Sequence, residues 1–305
     1  MIILNEIIND IEVITIKSNH LTLSVVPSLG GKIIRLFNTR LNKEFLWTNK
    51  ALSLSTNEAG ADYDANFFGG IDELLPNDIP ETVDGILYPD HGELWTSNLQ
   101  YETGIDNIHV YGLLPLSGLY FSRTLSLNNH SPVVSMHYKI RNDSGSRKHF
   151  LWKMHAALKI SEGDKMVSNA LHARVVDPQY SRFKSMAPFQ WPFIDGVDAG
   201  IIPVKDNTMD FLYLYDVPTP EMQMHGTDDS LFAYSYDNKV FPYQWYFASY
   251  GGFLDHYVAI LEPCTSMPMS VNEAKDKGQC TVLEPGEEVL TTVEIFAGEK
   301  KNSYE

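Results

Sequence analysis

Cysteine is scarce in this chain, whose 305 residues include only Cys264 and Cys280. Cysteines without an export signal are expected to remain reduced, so a disulfide framework is excluded as the basis of the fold. The spacing of the two residues also lacks the close pairs that are typical of zinc ligands.

Long hydrophobic runs are missing as well. No apolar stretch approaches the ~20 residues that a membrane-spanning helix needs. The start of the sequence, MIILNEIIND, has too short an apolar run for a secretory signal and carries acids instead of a basic leader. The sequence therefore predicts a cytoplasmic protein with no membrane partner.

Basic residues are few beside the acidic ones, 23 against 39, and the formal net charge is −16. Such a surface repels phosphate backbones and anionic lipid, which argues against nucleic acid as a partner. A neutral polar small molecule fits better. The oligomeric state is open, and a homodimer is one candidate.

Repeats, low-complexity tracts and flexible linkers are absent, which predicts one domain over residues 1–305. Strand signals dominate, as in His20–Val26, where apolar residues alternate with polar ones. Further strands are predicted at Lys32–Phe37, Leu119–Leu127, Val133–Ile140, Phe211–Tyr215, Tyr257–Leu261, Thr281–Leu283 and Val289–Phe296.

Helix signals are few. A capping-box pattern at Ser270–Glu273, followed by Gly278 as a stop, predicts one short helix. The alternation of strands and helices that marks a doubly wound fold is missing. The predicted fold class is therefore all-β, a large and mainly antiparallel sandwich with few short helices.

Glu262 is the first candidate for chemistry. It follows the apolar run Tyr257–Leu261 and precedes Pro263, which disfavours a helical conformation, so it is expected in extended backbone at a strand end. Shelter there would raise the pKa of the carboxyl group toward the range of a general base. The alternative is an edge-strand glutamate turned to solvent.

His155 is the second candidate, in the segment LWKMHAAL at Leu151–Leu158. An imidazole can accept or donate a proton near neutral pH. Lys153 falls on the same face if the segment is a strand, because side chains alternate across a strand. The alternative is a core histidine that is hydrogen-bonded to backbone.

His91 lies in the turn sequence Pro-Asp-His-Gly, and loops carry binding groups disproportionately. Trp95 follows at a spacing that would place its ring beside the same pocket, where aromatic faces suit the C–H faces of sugars. The alternative is an exposed loop histidine.

The segment Asn66–Asp78 mixes glycines, acids and amides. Gly69 and Gly70 would let backbone approach a ligand closely, and Asp72, Glu73 and Asn77 would exchange hydrogen bonds with hydroxyls. The alternative is a turn with solvated acids. No phosphate loop, dinucleotide fingerprint or Gly-x-Ser-x-Gly elbow is present, and the other histidines, His256 among them, lack comparable surroundings.

Six short motifs follow one another along the chain: Val26–Ile33 (VPSLGGKI), Gly69–Asn77 (GGIDELLPN), Pro89–Trp95 (PDHGELW), Phe150–His155 (FLWKMH), Leu261–Thr265 (LEPCT) and Leu283–Glu287 (LEPGE). In this order they resemble the aldose 1-epimerase (galactose mutarotase-like) family, in an uncharacterised branch. The resemblance covers most of the chain.

The resemblance implies a β-supersandwich with a concave sugar cleft, no metal and no organic cofactor. It implies an isomerase of carbohydrate metabolism that interconverts the α and β anomers of an aldose. Glu262 would be the general base and His155 the general acid, while His91 would position the sugar. Asp72, Asn77, Trp95 and Lys153 are the further candidates for contact with the substrate.

The chain departs from the better-known galactose mutarotases in three ways. No arginine occurs in Asn66–Pro89, where those proteins carry an Asn-Arg pair that grips sugar hydroxyls. The acidic residue of a middle strand has only Asp210 and Asp216 as candidates. Lys153 is an extra charge that would bind a carboxylate or phosphate on the sugar if it faces the cleft, and the favoured alternative is a solvated or structural lysine.

Two other functions are consistent with the residues. A carbohydrate-binding protein without turnover would retain the fold and the cleft. A metal enzyme would use the two histidines and the carboxylate as a facial triad, although the close His-x-His or His-x-Asp pair that is usual for such sites is missing.

Overall fold

A computed structural model describes residues 1–300 of the chain. It contains one short helix, α1 (Val271–Asp276), and four 3₁₀ turns at Pro27–Leu29, Asp64–Asn66, Leu94–Thr96 and Pro178–Tyr180. The strands, in chain order, are β1 (Ile2–Ile8), β2 (Ile11–Lys17), β3 (Leu21–Val26), β4 (Lys32–Asn38), β5 (Lys43–Glu44), β6 (Ile71–Leu74), β7 (Glu81–Val83), β8 (Ile86–Tyr88), β9 (Gln100–Thr103), β10 (Asn107–Leu113), β11 (Leu119–Leu127), β12 (Val133–Asn142), β13 (Lys148–Phe150), β14 (Lys153–Lys159), β15 (Lys165–Ser168), β16 (His172–Val175), β17 (Phe189–Gln190), β18 (Phe193–Ile194), β19 (Val197–Asp198), β20 (Thr208–Tyr215), β21 (Glu221–His225), β22 (Ser230–Ser235), β23 (Tyr243–Tyr250), β24 (Tyr257–Cys264), β25 (Thr281–Leu283) and β26 (Glu288–Glu299).

Two large sheets form the body of the protein. The 12-stranded sheet has the order β1-β2-β3-β4-β6-β14-β24-β23-β20-β16-β17, with β5 beside β4. The 8-stranded sheet has the order β15-β21-β22-β26-β12-β11-β10-β9. Neighbouring strands in both are antiparallel. The predicted all-β, mainly antiparallel class is confirmed.

The main core lies between the two sheets. Leu23, Ile33 and Tyr246 of the 12-stranded sheet and Phe121 and Ile295 of the 8-stranded sheet belong to one continuous buried cluster. Strand β11 buries every second residue, as its sequence alternation requires. A packed layer of this kind holds the large sheet in a fixed shape, so its second face can carry a site.

That second face is set by alternation in β14 and β24. In β14, Met154, Ala156 and Leu158 point into the main core. The residues between them therefore point to the opposite face of the sheet. Strand β24 behaves in the same way, with Ala259 and Leu261 in the main core.

The predicted elements agree well with the observed ones. The bounds of β11 and β25 match those expected, and the other predicted strands are present with longer or slightly shifted ends. The short helix begins at the predicted cap, where the Ser270 hydroxyl accepts a hydrogen bond from the Glu273 N–H at 3.2 Å. Gly278 has a left-handed φ of 65° just after it.

Gly69 and Gly70 have a different role from the one expected. Both have positive φ, and a Cβ atom on either would lie within 2.4 Å of a backbone oxygen of Trp47 or Ile33. Their close approach is therefore to neighbouring protein backbone and not to a ligand. Cys264 and Cys280 are both free thiols. Within residues 1–300, no helix has the length and apolarity to cross a membrane.

Candidate active site

A cavity of about 300 Å³ opens on the face of the large sheet that turns away from the main core. Aromatic side chains form much of its wall: Tyr63, Phe67, Tyr180, Phe211, Phe247 and Phe253. The ionisable groups that reach it are Asp64, Asp78, His91, Lys153, His155, Asp177, His256 and Glu262. Apolar walls with a few convergent polar groups are typical of a small-molecule site.

His155 and Glu262 face each other across two neighbouring strands. The antiparallel register of β14 and β24 places Lys153 opposite Cys264 and Ala156 opposite Leu261. Residues 155 and 262 fall opposite each other in the same register, on the cavity face. Side chains in such positions have Cβ atoms about 4.5–5.5 Å apart. The structure thus brings together the two residues that were expected to move protons.

Glu262 is buried, with 1% of its surface exposed, although it lines the cavity. Burial raises the pKa of this carboxyl group, and the charge of Lys153 opposes that rise. Strand β24 continues through Pro263 to Cys264, so Glu262 lies inside the strand and not at its end. The expectation of a sheltered carboxylate is met by burial and not by a strand terminus.

Lys153 lies between two carboxylates. Its Nζ is 2.6 Å from Asp78 Oδ1 and 2.6 Å from Glu262 Oε2, and it lies over the Trp245 ring at 4.3 Å from the centroid. Burial alone would lower the pKa of Lys153, but the two carboxylates raise it above its ordinary value. The ammonium therefore stays charged, and its charge is already matched by protein groups.

His155 is neutral in this setting. Only 5% of its surface is exposed, and burial lowers its pKa well below 6.5, with the charges of Lys153, His91 and Lys32 acting in the same direction. Its Nδ1 lies 3.3 Å from the Tyr63 hydroxyl. The imidazole is thus held by protein on one side while it lines the cavity on the other.

His91 reaches the cavity from the loop after β8. Its backbone has a positive φ of 57°, and its N–H donates to the Asp78 carbonyl at 2.8 Å. The ring stacks on Tyr63, with centroids 4.0 Å apart and an angle of 7° between the planes. Its Nδ1 is 2.9 Å from Asp90 Oδ2. This geometry fixes the imidazole beside the cavity.

Three of the predicted contact residues lie behind the cavity wall. Asp72 is covered by Tyr63, whose hydroxyl donates to Asp72 Oδ2 at 3.0 Å. Trp95 packs edge-on against the same Tyr63 ring at 5.0 Å. The side-chain amide of Asn77 donates to the carbonyls of Ile79 and Pro89, each at 2.7 Å. The prediction that these three side chains contact a sugar directly is therefore wrong. They support Tyr63 and the surrounding loops instead.

Glu73 points the other way from Asp72, because successive strand residues alternate in direction. It lies in the main core, where it pairs with Arg123 and accepts hydrogen bonds from Tyr138 at 2.8 Å and from Trp152 Nε1 at 3.1 Å. The expected hydroxyl contact of Glu73 is therefore wrong. Strand periodicity in Ile71–Leu74 was the signal that could have shown this.

Several residues that line the cavity could not be predicted from the sequence. Tyr63 and Asp64 arrive on an irregular loop, Asp78 directly follows Asn77, and Asp177 follows β16. His256, whose neighbours in the sequence do not suggest a site, also lines the cavity. None of these residues carries a periodic or motif signal that would have identified it.

The two middle-strand acids named above are not in the cavity lining. Asp210 is buried, with its Oδ2 2.8 Å from Arg182 Nε. Asp216 lies on the surface, with its Oδ2 2.8 Å from His172 Nδ1. Lys153 is the one lysine or arginine among the lining residues that the structure describes.

No group of three or more His, Cys, Asp and Glu side chains in residues 1–300 has the geometry to hold a metal ion, so the facial-triad alternative has no ligand set there.

The fold is similar to that of several solved structures. A galactose mutarotase-like protein from Clostridium acetobutylicum superposes with a TM-score of 0.75 at 16% identity, covering 98% of this chain and 99% of its own. A candidate aldose 1-epimerase from Klebsiella pneumoniae gives 0.74 at 14% identity, covering 95% of this chain and 80% of its own. A galactose mutarotase-like protein from Lactobacillus casei gives 0.67 at 15% identity, covering 93% and 99%.

No protein-family model matches the sequence, and no curated protein matches it significantly. The similarity to known proteins is therefore carried by the three-dimensional structure. The chain has the galactose mutarotase-like fold, as its short motifs predicted.

Proposed function

We propose that this protein is an aldose 1-epimerase, an isomerase of carbohydrate metabolism that interconverts the α and β anomers of a sugar. One observation carries the proposal: His155 and Glu262 meet on the cavity face of β14 and β24, beside His91, in a galactose mutarotase-like fold. A base and an acid on either side of an anomeric centre are what ring opening needs.

In the proposed reaction the Glu262 carboxylate takes the proton of the anomeric hydroxyl. His155 gives a proton to the ring oxygen as the bond between that oxygen and C1 breaks, and an open-chain aldehyde forms. Rotation about C1–C2 and closure from the other face yield the opposite anomer. The reverse transfers restore both side chains, and each proton-transfer group contributes roughly 10²–10⁴-fold in rate.

The charges around the cavity favour an uncharged sugar. Four carboxyl groups line it, those of Asp64, Asp78, Asp177 and Glu262, and the charge of Lys153 is shared between two of them. A phosphate or carboxylate on the substrate would meet excess negative charge there. We therefore propose no anionic subsite at Lys153.

Polarimetry or NMR of freshly dissolved anomers tests the proposal directly. We expect acceleration with at least one neutral aldose in a panel that also contains phosphorylated and acidic sugars. Glu262→Gln and His155→Gln should each lose most of it, while Glu6→Gln, an exposed change in β1 that also neutralises a glutamate, should match wild type. An unaccelerated panel, or a fully active Glu262→Gln, would contradict the proposal.

A sugar-binding protein without turnover is the second candidate. The observation in its favour is the ion pair between Lys153 and Glu262, which occupies the carboxylate that would act as the base. This candidate predicts that calorimetry detects sugar binding in wild type and in Glu262→Gln, with no anomerisation by either. Binding together with acceleration would exclude it.

A further inference from the structure

Four side chains form a connected line that runs from Lys32 and Asp72, behind the cavity wall, to Tyr63 and His155, which line the cavity. Lys32 Nζ lies 2.9 Å from Asp72 Oδ2, and both side chains are buried. The Tyr63 hydroxyl donates to the same Asp72 oxygen at 3.0 Å, and its oxygen lies 3.3 Å from His155 Nδ1. The proton-transfer scheme above uses only the last member of this line.

The protons in this line can be assigned from donor and acceptor chemistry. An ionised carboxylate only accepts hydrogen bonds, and Lys32 keeps Asp72 paired as a carboxylate. The single proton of the Tyr63 hydroxyl is therefore committed to Asp72, and the oxygen presents a lone pair to His155. Nδ1 of His155 can complete the contact only by donating.

The neighbours of the His155 ring keep it from taking up a second proton in the resting protein. Two ammonium groups, Lys153 on its own strand and Lys32 on β4, oppose a second positive charge on the ring, and His91 on the loop acts in the same direction whenever it is itself charged. The carboxylates are Asp72 in β6, opposite His155 in the register, and Glu262 in β24. Each of these is already engaged, Asp72 with Lys32 and Glu262 with Lys153.

We propose that Asp72 and Tyr63 are positioning residues that hold His155 as the Nδ1–H tautomer, so that Nε2 is a proton acceptor in the resting protein. A neutral imidazole carries one N–H, and which nitrogen bears it is set by the hydrogen bond the ring makes. Asp72 and Tyr63 thereby gain a role that direct sugar contact does not explain.

The consequence for catalysis rests on the proposed function. His155 becomes a general acid only after Nε2 has taken a proton, from solvent or from the substrate. Donation of that proton to the ring oxygen then returns the ring to the same Nδ1–H tautomer. The proton count balances over a cycle, and no further reactant is needed.

Nitrogen NMR of protein labelled with ¹⁵N-histidine tests the tautomer without any need for turnover. In wild type we expect the His155 signals of a protonated Nδ1 and an unprotonated Nε2, assigned by their loss in His155→Gln. An Nε2–H tautomer in wild type would overturn the inference even if anomerisation is found. Failure of the epimerase proposal would appear instead as absent anomerisation with the tautomer unchanged.

Tyr63→Phe removes the acceptor of the Nδ1 proton. We expect the Nε2–H form of His155 to appear in its spectrum, while Tyr111→Phe, which removes a hydroxyl bonded to Glu102 at 3.0 Å, leaves the His155 signals unchanged. Asp72→Asn should also allow part of the His155 population to adopt the Nε2–H tautomer, because the Tyr63 hydroxyl can then donate either to the amide or to His155 Nδ1. An unaltered Nδ1–H tautomer in folded Tyr63→Phe would overturn the inference, and the wild-type spectrum decides the matter if that variant does not fold.

Discussion

At the scale of single residues, the direction of the Lys153 side chain was predictable from the sequence, and its ion-pair partners were not. The spacing of Lys153 and His155 predicted that both face one side of a strand, and both do line the cavity. The partners of Lys153 were not predictable, because Asp78 comes from a loop and Glu262 from a strand about a hundred residues away. A charge pattern along the chain does not report such distant pairs.

Removing the Lys153 charge should affect both stability and pH dependence. Lys153→Met leaves Asp78 and Glu262 as uncompensated buried carboxylates, and loss of one partner of a buried pair costs about 3–5 kcal/mol in the free energy of unfolding. The pKa of Glu262 should rise further, so the acidic limb of kcat/KM moves to higher pH. Urea denaturation and a pH profile measure the two effects.

Lys153→Arg is the matched control, since it keeps the positive charge between the two carboxylates. It should retain more stability than Lys153→Met and leave the acidic limb nearer its wild-type position. Equal pH profiles for wild type and Lys153→Met would contradict the role given to this ion pair.

The dependence of activity on pH follows from the directions of two pKa shifts. Glu262 must be ionised to act as a base. Its pKa is raised above 4.5, so kcat/KM rises as pH increases through this raised pKa. His155 must be protonated to act as an acid, and its pKa lies well below 6.5, so kcat/KM falls as the imidazolium is lost. The profile should be bell-shaped, with its acidic limb displaced to higher pH and its basic limb displaced to lower pH than an ordinary glutamate and histidine would give. A maximum above pH 8 would contradict these assignments.

At the scale of elements, alternation explains why the strands were predictable and the loops were not. Period-two patterns in β11 and β14 fix which side chains enter the main core. Loops have no such periodicity, so the loop path that places Tyr63 over Asp72 could not be predicted from the sequence. Three of the predicted contact residues were misplaced for this reason.

The pair of Arg123 in β11 and Glu73 in β6 joins the two sheets through the main core. Arg123→Met should destabilise the protein by about 3–5 kcal/mol, because Glu73 is left buried without its cation. Arg123→Met combined with Glu73→Gln should lose less than the sum of the single changes. Urea denaturation of the four proteins measures this coupling, and simple additivity would contradict it.

At the scale of the whole molecule, the order of the short motifs predicted the fold that the superpositions confirm. That success has a physical basis, because each motif marks a turn or a strand end that the sandwich needs in sequence. Superpositions with TM-scores of 0.67–0.75 establish the fold, and at identities of only 14–16% the reaction has to be argued from the site. The single domain over residues 1–305 stays a prediction.

His155 and Glu262 are proposed to open and close a sugar ring together. Exchange NMR of an equilibrated neutral aldose measures this most directly, because magnetisation passes between the α and β anomeric signals only when the ring opens. Exchange should scale with the concentration of wild-type protein and fall roughly 10²–10⁴-fold in Glu262→Gln. Exchange equally fast in both proteins, or no faster than in buffer across the neutral aldoses, would contradict it.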